Sequence, residues 1–430
     1  MTSTAVRGKP IEAAIPAHRD GNVLRWLTAY TSSAIGDNLY YFALSWAAVQ
    51  QGTPAQAGIV TAVSAVPRAV LMLGGGVVAD RYGPRRVVLA GSVVRGVLVV
   101  AAAALLLAAG PGLWALGSIA VVFGIVDAVF LPAAGALPAR IAERGQLARV
   151  QGLRALATLL ANVLGGPLGG LGIALGGTAG AFGGAALLIG VSVPLLFTVR
   201  AGKVPQADRQ ERGAVVAELR DGLRHIAHDP VLRPLVLTIA LGDLGFVGPM
   251  NLGLTLLARE RGWGSTGMGW VLAGFGIGAG AAALLVTVRG RVPRAGLVTG
   301  AVTVSGSVAI ALLAQVPSVP GAACVAGAVG LSLGLAGTVS GALLQSHAGP
   351  AYVGRVTSAA ALVSFGVAPL TFPVVGWAVE LWGTGAVFGV CACVCALGGA
   401  VALCSRPLRR AELAWNPSPT SPAPSSRSAG

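Results

Sequence analysis

Charge is what this sequence lacks. Only 10% of its 430 residues are Asp, Glu, Lys or Arg, against about 25% in ordinary globular domains, and a water-facing surface cannot be built from so few ionisable groups. Acid is scarcer than base, 15 residues against 30, and Lys9 and Lys203 are the only lysines. Cysteine is sparse too: Cys324, Cys391, Cys393, Cys395 and Cys404 sit in or at the ends of apolar runs, without disulfide or zinc spacing. His225 and His228 are too few for a metal site. The first twenty residues carry Arg7, Lys9, Glu12, Arg19 and Asp20 with no apolar run before a cleavage site, so no removable signal peptide is expected. The glycine run Gly274 to Gly280 has no strand before it and cannot be a nucleotide loop. Nucleophile elbows and paired catalytic carboxylates are missing as well. The expectation is a protein that is not an enzyme and takes no metal or cofactor.

What is present is apolar: 55% of the chain, with mean hydropathy +0.78. A spanning helix needs about 20 predominantly apolar residues. That ruler gives twelve segments, at 25–49, 54–79, 87–109, 113–137, 151–174, 178–199, 234–257, 268–288, 295–314, 321–346, 356–379 and 384–404. The expected fold class is an all-α membrane protein of two six-helix bundles in a lipid bilayer. Arginines recur in alternate connections, at Arg81, Arg85 and Arg86, at Arg140, Arg144 and Arg149, at Arg289, Arg291 and Arg294, and at Arg406, Arg409 and Arg410. The other side holds essentially Arg259 and Arg261. This asymmetry places both termini in the cytoplasm of a plasma-membrane protein. It also accounts for the net charge of +15 without nucleic acid.

The organisation follows as a tail over 1–24, a bundle over 25–199, a charged loop over 200–233, a second bundle over 234–404 and a disordered tail over 405–430. Within the loop, Val216, Leu219, Leu223 and Ile226 have the spacing of an amphipathic helix over Gly213 to Ala227. The halves echo each other: Ala34-Ile35-Gly36-Asp37 in the first segment matches Ala240-Leu241-Gly242-Asp243 in the seventh. Parallel repeats of this kind are the trace of a transporter with its site between two related bundles.

Between the second and third segments stands Gly76-Val77-Val78-Ala79-Asp80-Arg81-Tyr82-Gly83-Pro84-Arg85-Arg86. It resembles the signature loop of the major facilitator superfamily, in that family's place. The resemblance implies twelve helices and a conformational latch. Its residues would be Gly76, Asp80, Arg81, Gly83, Arg85 and Arg86, with Asp80 facing the start of the eleventh helix after Arg355. Asp80 at a helix C-terminus opposes its own helix dipole, which agrees with a need for another partner. Further similarity is to the drug-exporting branch that includes macrolide-efflux and enterobactin-exporting proteins. It rests on Gly36-Asp37 with Ala43-Leu44-Ser45-Trp46, Val66-Pro67-Arg68, the run Glu218 to Arg224, and Gly354-Arg355-Val356.

Ionisable residues inside spanning helices are costly and are functional candidates by default. Asp37, Arg68, Asp127 and Asp243 each lie about 18–21 Å from the outer end of their helix at 1.5 Å per residue. Two readings stand for Asp37: an ion pair with Arg68 that holds the first two helices together, or proton exchange. Asp127 has Arg95 as its one candidate partner and Asp243 has none, which makes these two the stronger proton-site candidates. Tyr41, Asn162, Phe246 and Asn251 lie near enough along their helices to shape a substrate cavity. The function expected is proton-coupled efflux of a small organic molecule by a monomer working through alternating access. An importer of the same fold and, more remotely, a membrane-embedded enzyme are the alternatives.

Overall fold

The computed structural model describes residues 19–109, 112–142, 146–200, 202, 212–289, 292–349 and 352–412. A few side chains inside helices, Asp80's among them, stay outside that description, as do the N-terminal tail, part of the charged loop and the chain from 413. Every regular element among the described residues is helical. The first half comprises α1 (Gly21–Gln51), α2 (Pro54–Tyr82), α3 (Pro84–Ala109), α4 (Leu113–Ala136), the short α5 (Pro138–Ile141) and α6 (Leu147–Thr198). After α7 (Arg212–His228) come α8 (Leu232–Gly248), a π-helical turn over Pro249–Gly253, and α9 (Leu254–Glu260). The remainder is α10 (Gly264–Arg289), α11 (Ala295–Leu313), α12 (Val319–His347), α13 (Val353–Cys404) and α14 (Arg406–Arg410).

Among the described residues, eight continuous helical stretches are long and apolar enough to cross a membrane, and two have double length, 50 residues in α6 and 52 in α13. Each double-length helix turns back on itself at glycine. Gly177 has φ 62° and Gly383 has φ 77°, a left-handed conformation that glycine adopts without steric cost. The helices α1 and α2 have spanning length, 31 and 29 residues, but are less apolar. The seventh segment read from the sequence runs over α8, the π-helical turn and α9, the others each fall on one helix or leg, and none overruns its helical stretch by more than one residue. Local chemistry fixes several boundaries. Asp20 caps α1 by accepting from the backbone N–H of Asn22 at 2.8 Å, and Thr53 and Gln56 form a reciprocal capping box before Pro54 in α2. Gly83, at φ 86°, closes α2 ahead of Pro84.

The halves meet along two seams. In one, α2 packs on α13, with Gly58 against the Phe372 carbonyl and Gly376 against that of Pro54. In the other, α6 packs on α10, with Gly166 against Gly269, Gly170 against Ser265 and Val163 against Gly276. Gly274 and Gly278, one turn apart, face α12, whereas Gly276 and Gly280 face α6. The glycine run in α10 is therefore a packing device that lets one helix approach two others closely. Polar ties join the same end of the molecule: the Arg259 guanidinium donates to the Val49 carbonyl, and the Ala55 N–H donates to Glu380 at 3.3 Å.

Buried apolar side chains follow the same division. One cluster around Tyr40, Phe123 and Phe182 reaches across to Leu252, Phe372 and Val375. Another around Phe388 and Val329 takes in Phe42 and Trp46 from α1. At the end bearing both termini, by contrast, the clusters stay within one half each: Trp26, Phe130 and Leu137 in the first, Leu232, Leu343 and Val356 in the second.

The helix expected over 213–227 is observed as Arg212–His228, and it docks on the start of α13. Gly222 lies against the Arg355 carbonyl, Ile226 is buried in the second half's cluster, and His225 stacks on Tyr352 with centroids 4.4 Å apart. One expectation needs correction: residues 405–410 are ordered as the end of the last connection and α14. Ser405 caps that helix and Leu408 is buried, its carbonyl lying against Gly296 of α11.

The close packing of α10 on α12 gives a stability prediction. A Cβ built at Gly278 would lie 2.0 Å from the Gly327 carbonyl oxygen, and one at Gly330 2.1 Å from that of Phe275, whereas Gly385 has open space. Gly278→Ala and Gly330→Ala should each cost about 1–3 kcal/mol and lower the melting temperature in detergent, while Gly385→Ala should leave it nearly unchanged.

Candidate functional site

Three helices of the first half each bring an ionised side chain to one buried point. Arg95 of α3 is fully buried, and its Nη1 donates to both carboxylate oxygens of Asp37 on α1, at 2.9 and 2.8 Å, and to Asp127 on α4 at 3.1 Å. Its Nη2 donates to Ser33 at 2.8 Å, and its guanidinium lies 3.5 Å from the centroid of the Phe130 ring. Asp127 accepts a further hydrogen bond from the Tyr41 hydroxyl at 2.9 Å. Arg68 of α2 donates to that same hydroxyl at 3.2 Å and stands 3.9 Å from Asp127. Two carboxylates and two guanidiniums thus form a charge-balanced network, which is how buried charge is tolerated.

The expected Asp37 to Arg68 pair is corrected by this arrangement. Asp37 turns to Arg95, and Arg68 turns to Tyr41 and Asp127. Sequence reading had Arg95 only as a candidate partner for Asp127 and missed it as the hub. The signal was available: Arg95 lies about 16 Å inside α3 from Pro84, and an arginine that deep must find acid.

Between the halves lies a cavity of about 350 Å³. Tyr41, Arg68, Asn162, Phe246 and Asn251 line it, together with Asn38, Met250, Met268, Leu272 and Phe275. Asn38 donates to Asn162 at 3.3 Å, and Phe246 stacks on Phe275 at 5.5 Å. Asn251 reaches the cavity from the π-helical turn. Pro249 opens that turn without a backbone N–H to donate, and such turns recur at functional sites. Asp37 and Asp127 do not line the cavity; Asp127 sits behind Tyr41, and Asp37 is paired with Arg95. Asp243 lines a separate chamber of about 210 Å³ that shares Phe246 and Phe275 with the central one. It accepts a hydrogen bond from Ser364, and no cationic side chain lies within ion-pair distance of it among the described residues.

The signature stretch behaves differently from the site. Asp80 and the surroundings of Gly76 lie outside the described side chains. Arg81 and Arg86 are exposed, and Arg85 donates to the Phe197 carbonyl at 2.7 Å within its own half. Arg355 stands 3.7 Å from Asp221 of α7 and 5.5 Å over the Tyr352 ring.

With the cavity in place between two related halves, comparison with known proteins is decisive. The model of the Major Facilitator Superfamily matches residues 26–373. The chain belongs to that superfamily. This superfamily member is a multi-pass membrane transporter of small molecules. It is 28% identical to the multidrug efflux pump Tap of Mycobacterium tuberculosis over 410 residues, covering 90% of this chain and 94% of that one. Tap of Mycolicibacterium fortuitum is 29% identical over 410 residues, with 92% and 98% covered. Among solved structures, a POT family transporter bound to 5-aminolevulinic acid superposes with a TM-score of 0.72 at 12% identity, covering 92% and 99% of the chains. The D-xylose-proton symporter gives 0.66 at 13%, covering 90% and 97%. These two likenesses concern the superfamily fold.

The network generates a test. Arg95→Gln leaves two buried carboxylates facing each other and should cost about 3–5 kcal/mol. Asp37→Asn in the same chain should restore part of that stability. Thermal unfolding in detergent reads both, and an Arg95→Gln chain as stable as wild type would remove the hub role.

Proposed function

We propose that this transporter exports a small organic molecule in exchange for protons, by alternating access through twelve membrane crossings with both termini in the cytoplasm. The observation that carries the reading is the cavity between halves that are packed together at one end and have separate apolar clusters at the terminus-bearing end. Such an arrangement corresponds to a cargo site reached from the side of the termini, which the arginine distribution assigns to the cytoplasm. Direction outward is supported by the relatives named as multidrug efflux pumps. A transporter of this fold has no nucleotide loop, so an ion gradient supplies the work.

Asp243 is the better proton carrier in this scheme. A carboxylate without a cationic partner gains most from taking a proton, whereas Asp37 and Asp127 are already compensated by Arg95 and Arg68. The compensated network then serves to hold α1, α3 and α4 together and to present Arg68 and Tyr41 to the cavity. The signature stretch supplies the latch: Asp80, at the end of α2, would fasten to the start of α13 when the cytoplasmic side closes. Arg355, held by Asp221 in this state, would change partner at that step. The working unit is the monomer, since the cavity is complete within one chain.

Inverted membrane vesicles test the reading. A candidate drug should accumulate in them when the interior is acid, and collapse of the gradient should abolish accumulation. Asp243→Asn should lose that gradient dependence. Accumulation from a panel of drugs in neither direction overturns transport of this class, and uptake only into right-side-out vesicles makes the protein an importer. A second experiment addresses the latch. Asp80→Asn should favour the cytoplasm-open state, read as a longer distance between spin labels at the terminus-bearing ends of α2 and α13. Cargo affinity should be unchanged; a binding defect with unaltered distances overturns the latch.

A further inference from the structure

The central cavity between the halves and the adjoining Asp243 chamber, which lies within the second half, present opposite charges, and this constrains the cargo more narrowly than the transport reading alone. Arg68 is the only ionised side chain lining the central cavity among the described residues. Asp127 is 3% exposed and bonded to Tyr41, and the partly exposed Asp37 is paired with Arg95; neither carboxylate lines the central cavity. A guanidinium has five N–H donors, and Arg68 spends one on the Tyr41 hydroxyl while 29% of its side chain stays exposed. Its remaining donors face a space walled by Phe246, Phe275 and amides. An acceptor oxygen, strongest as a carboxylate or enolate, is the chemistry that satisfies them.

The Asp243 chamber makes the reverse demand. Its one ionised group is an acid whose described partner is a hydroxyl, and Thr238, Thr303 and Ser340 supply further oxygens. At about 210 Å³ the chamber is much larger than the ~30 Å³ share of one water, so it has room for an alkylammonium group. The Phe246 and Phe275 rings, common to both chambers, are faces over which such a cation is attracted.

We propose that the cargo is a dipolar organic molecule, with an anionic or enolate oxygen seated on Arg68 and a basic nitrogen seated in the Asp243 chamber. This rests on the reading of the cavity as the transport site. It also gives that reading its exchange rule. Substrate ammonium and proton compete for one carboxylate, so loading cargo expels the proton and protonation expels cargo.

Three matched probes test it on the purified full chain: Nα-dansyl-lysine, its decarboxylated form dansylcadaverine, and Nα-dansyl-norleucine, which lacks the ammonium. Binding is read by dansyl fluorescence. Hydrogen bonds to charged groups are each large enough that the dipolar probe should bind about ten-fold tighter than either partner. Arg68→Gln should erase its advantage over dansylcadaverine, and Arg68→Lys should return part of it. Asp243→Asn should erase its advantage over dansyl-norleucine. Equal or tighter binding of either single-charge probe by the wild type overturns the proposal, as does failure of all three to bind, or an advantage that survives both variants. The same probes in inverted vesicles separate the two claims: the expected binding pattern without accumulation leaves the dipolar site standing and sinks the export reading.

Discussion

Arg95 is an ion with none of its surface exposed, and the first half of the molecule is arranged around keeping it so. Stripping a guanidinium of water costs several kcal/mol even after relaxation, and the cost is met only by a matched set of acceptors. Ser33 and Asp37, one turn apart on α1, and Asp127 on α4 accept from the two terminal nitrogens of Arg95, while its Nε stays without a partner. The rotations of α1, α3 and α4 are thereby coupled, because none can turn without stranding charge. Tyr41 extends the arrangement outward, linking Asp127 to Arg68 at the cavity wall. The wall of the central cavity is thus an extension of the structure's most expensive interaction.

The second half shows the opposite solution. Asp243 occupies the position equivalent to Asp37 in the sequence repeat, yet its helix has no buried arginine to meet it among the described residues. One duplicated carboxylate has become part of a neutral cluster and the other has been left available. That asymmetry leaves one carboxylate fixed in an ion cluster and the other without a cationic partner among the described residues, within an architecture whose halves otherwise correspond.

Much of this was legible in the sequence, and what was not has a physical reason. Segment positions follow from length and hydropathy, which act along the chain, so each expected segment lies on a continuous helical stretch or a leg of one. The shared depth of Asp37, Arg68, Asp127 and Asp243 follows from a fixed rise per residue. Which of them touch does not follow, because pairing depends on rotation about each helix axis. Helices apolar on nearly all sides give little rotational signal. An Asp37–Arg68 pair is accordingly one of the readings that depth allows, whereas the structure turns Asp37 toward Arg95. The π-helical turn at Pro249 passed unnoticed for a related reason: hydropathy does not register a change in hydrogen-bond pattern. The ordered start of the C-terminal tail depends on one leucine, Leu408, meeting the backbone beside Gly296, a contact between residues distant in sequence.

The seams between the halves have a mechanical consequence. Where α2 meets α13 and α6 meets α10, much of what touches is backbone, since Gly58, Gly376, Gly166, Gly170 and Gly269 present no side chain to interlock. Surfaces joined by deep side-chain teeth must lift apart before they can turn, and each disengagement adds to the barrier. These seams are closer to a plain bearing: two smooth cylinders in contact, able to roll while surrendering little dispersion energy at any intermediate angle. A side chain grafted onto either surface would act as a cog.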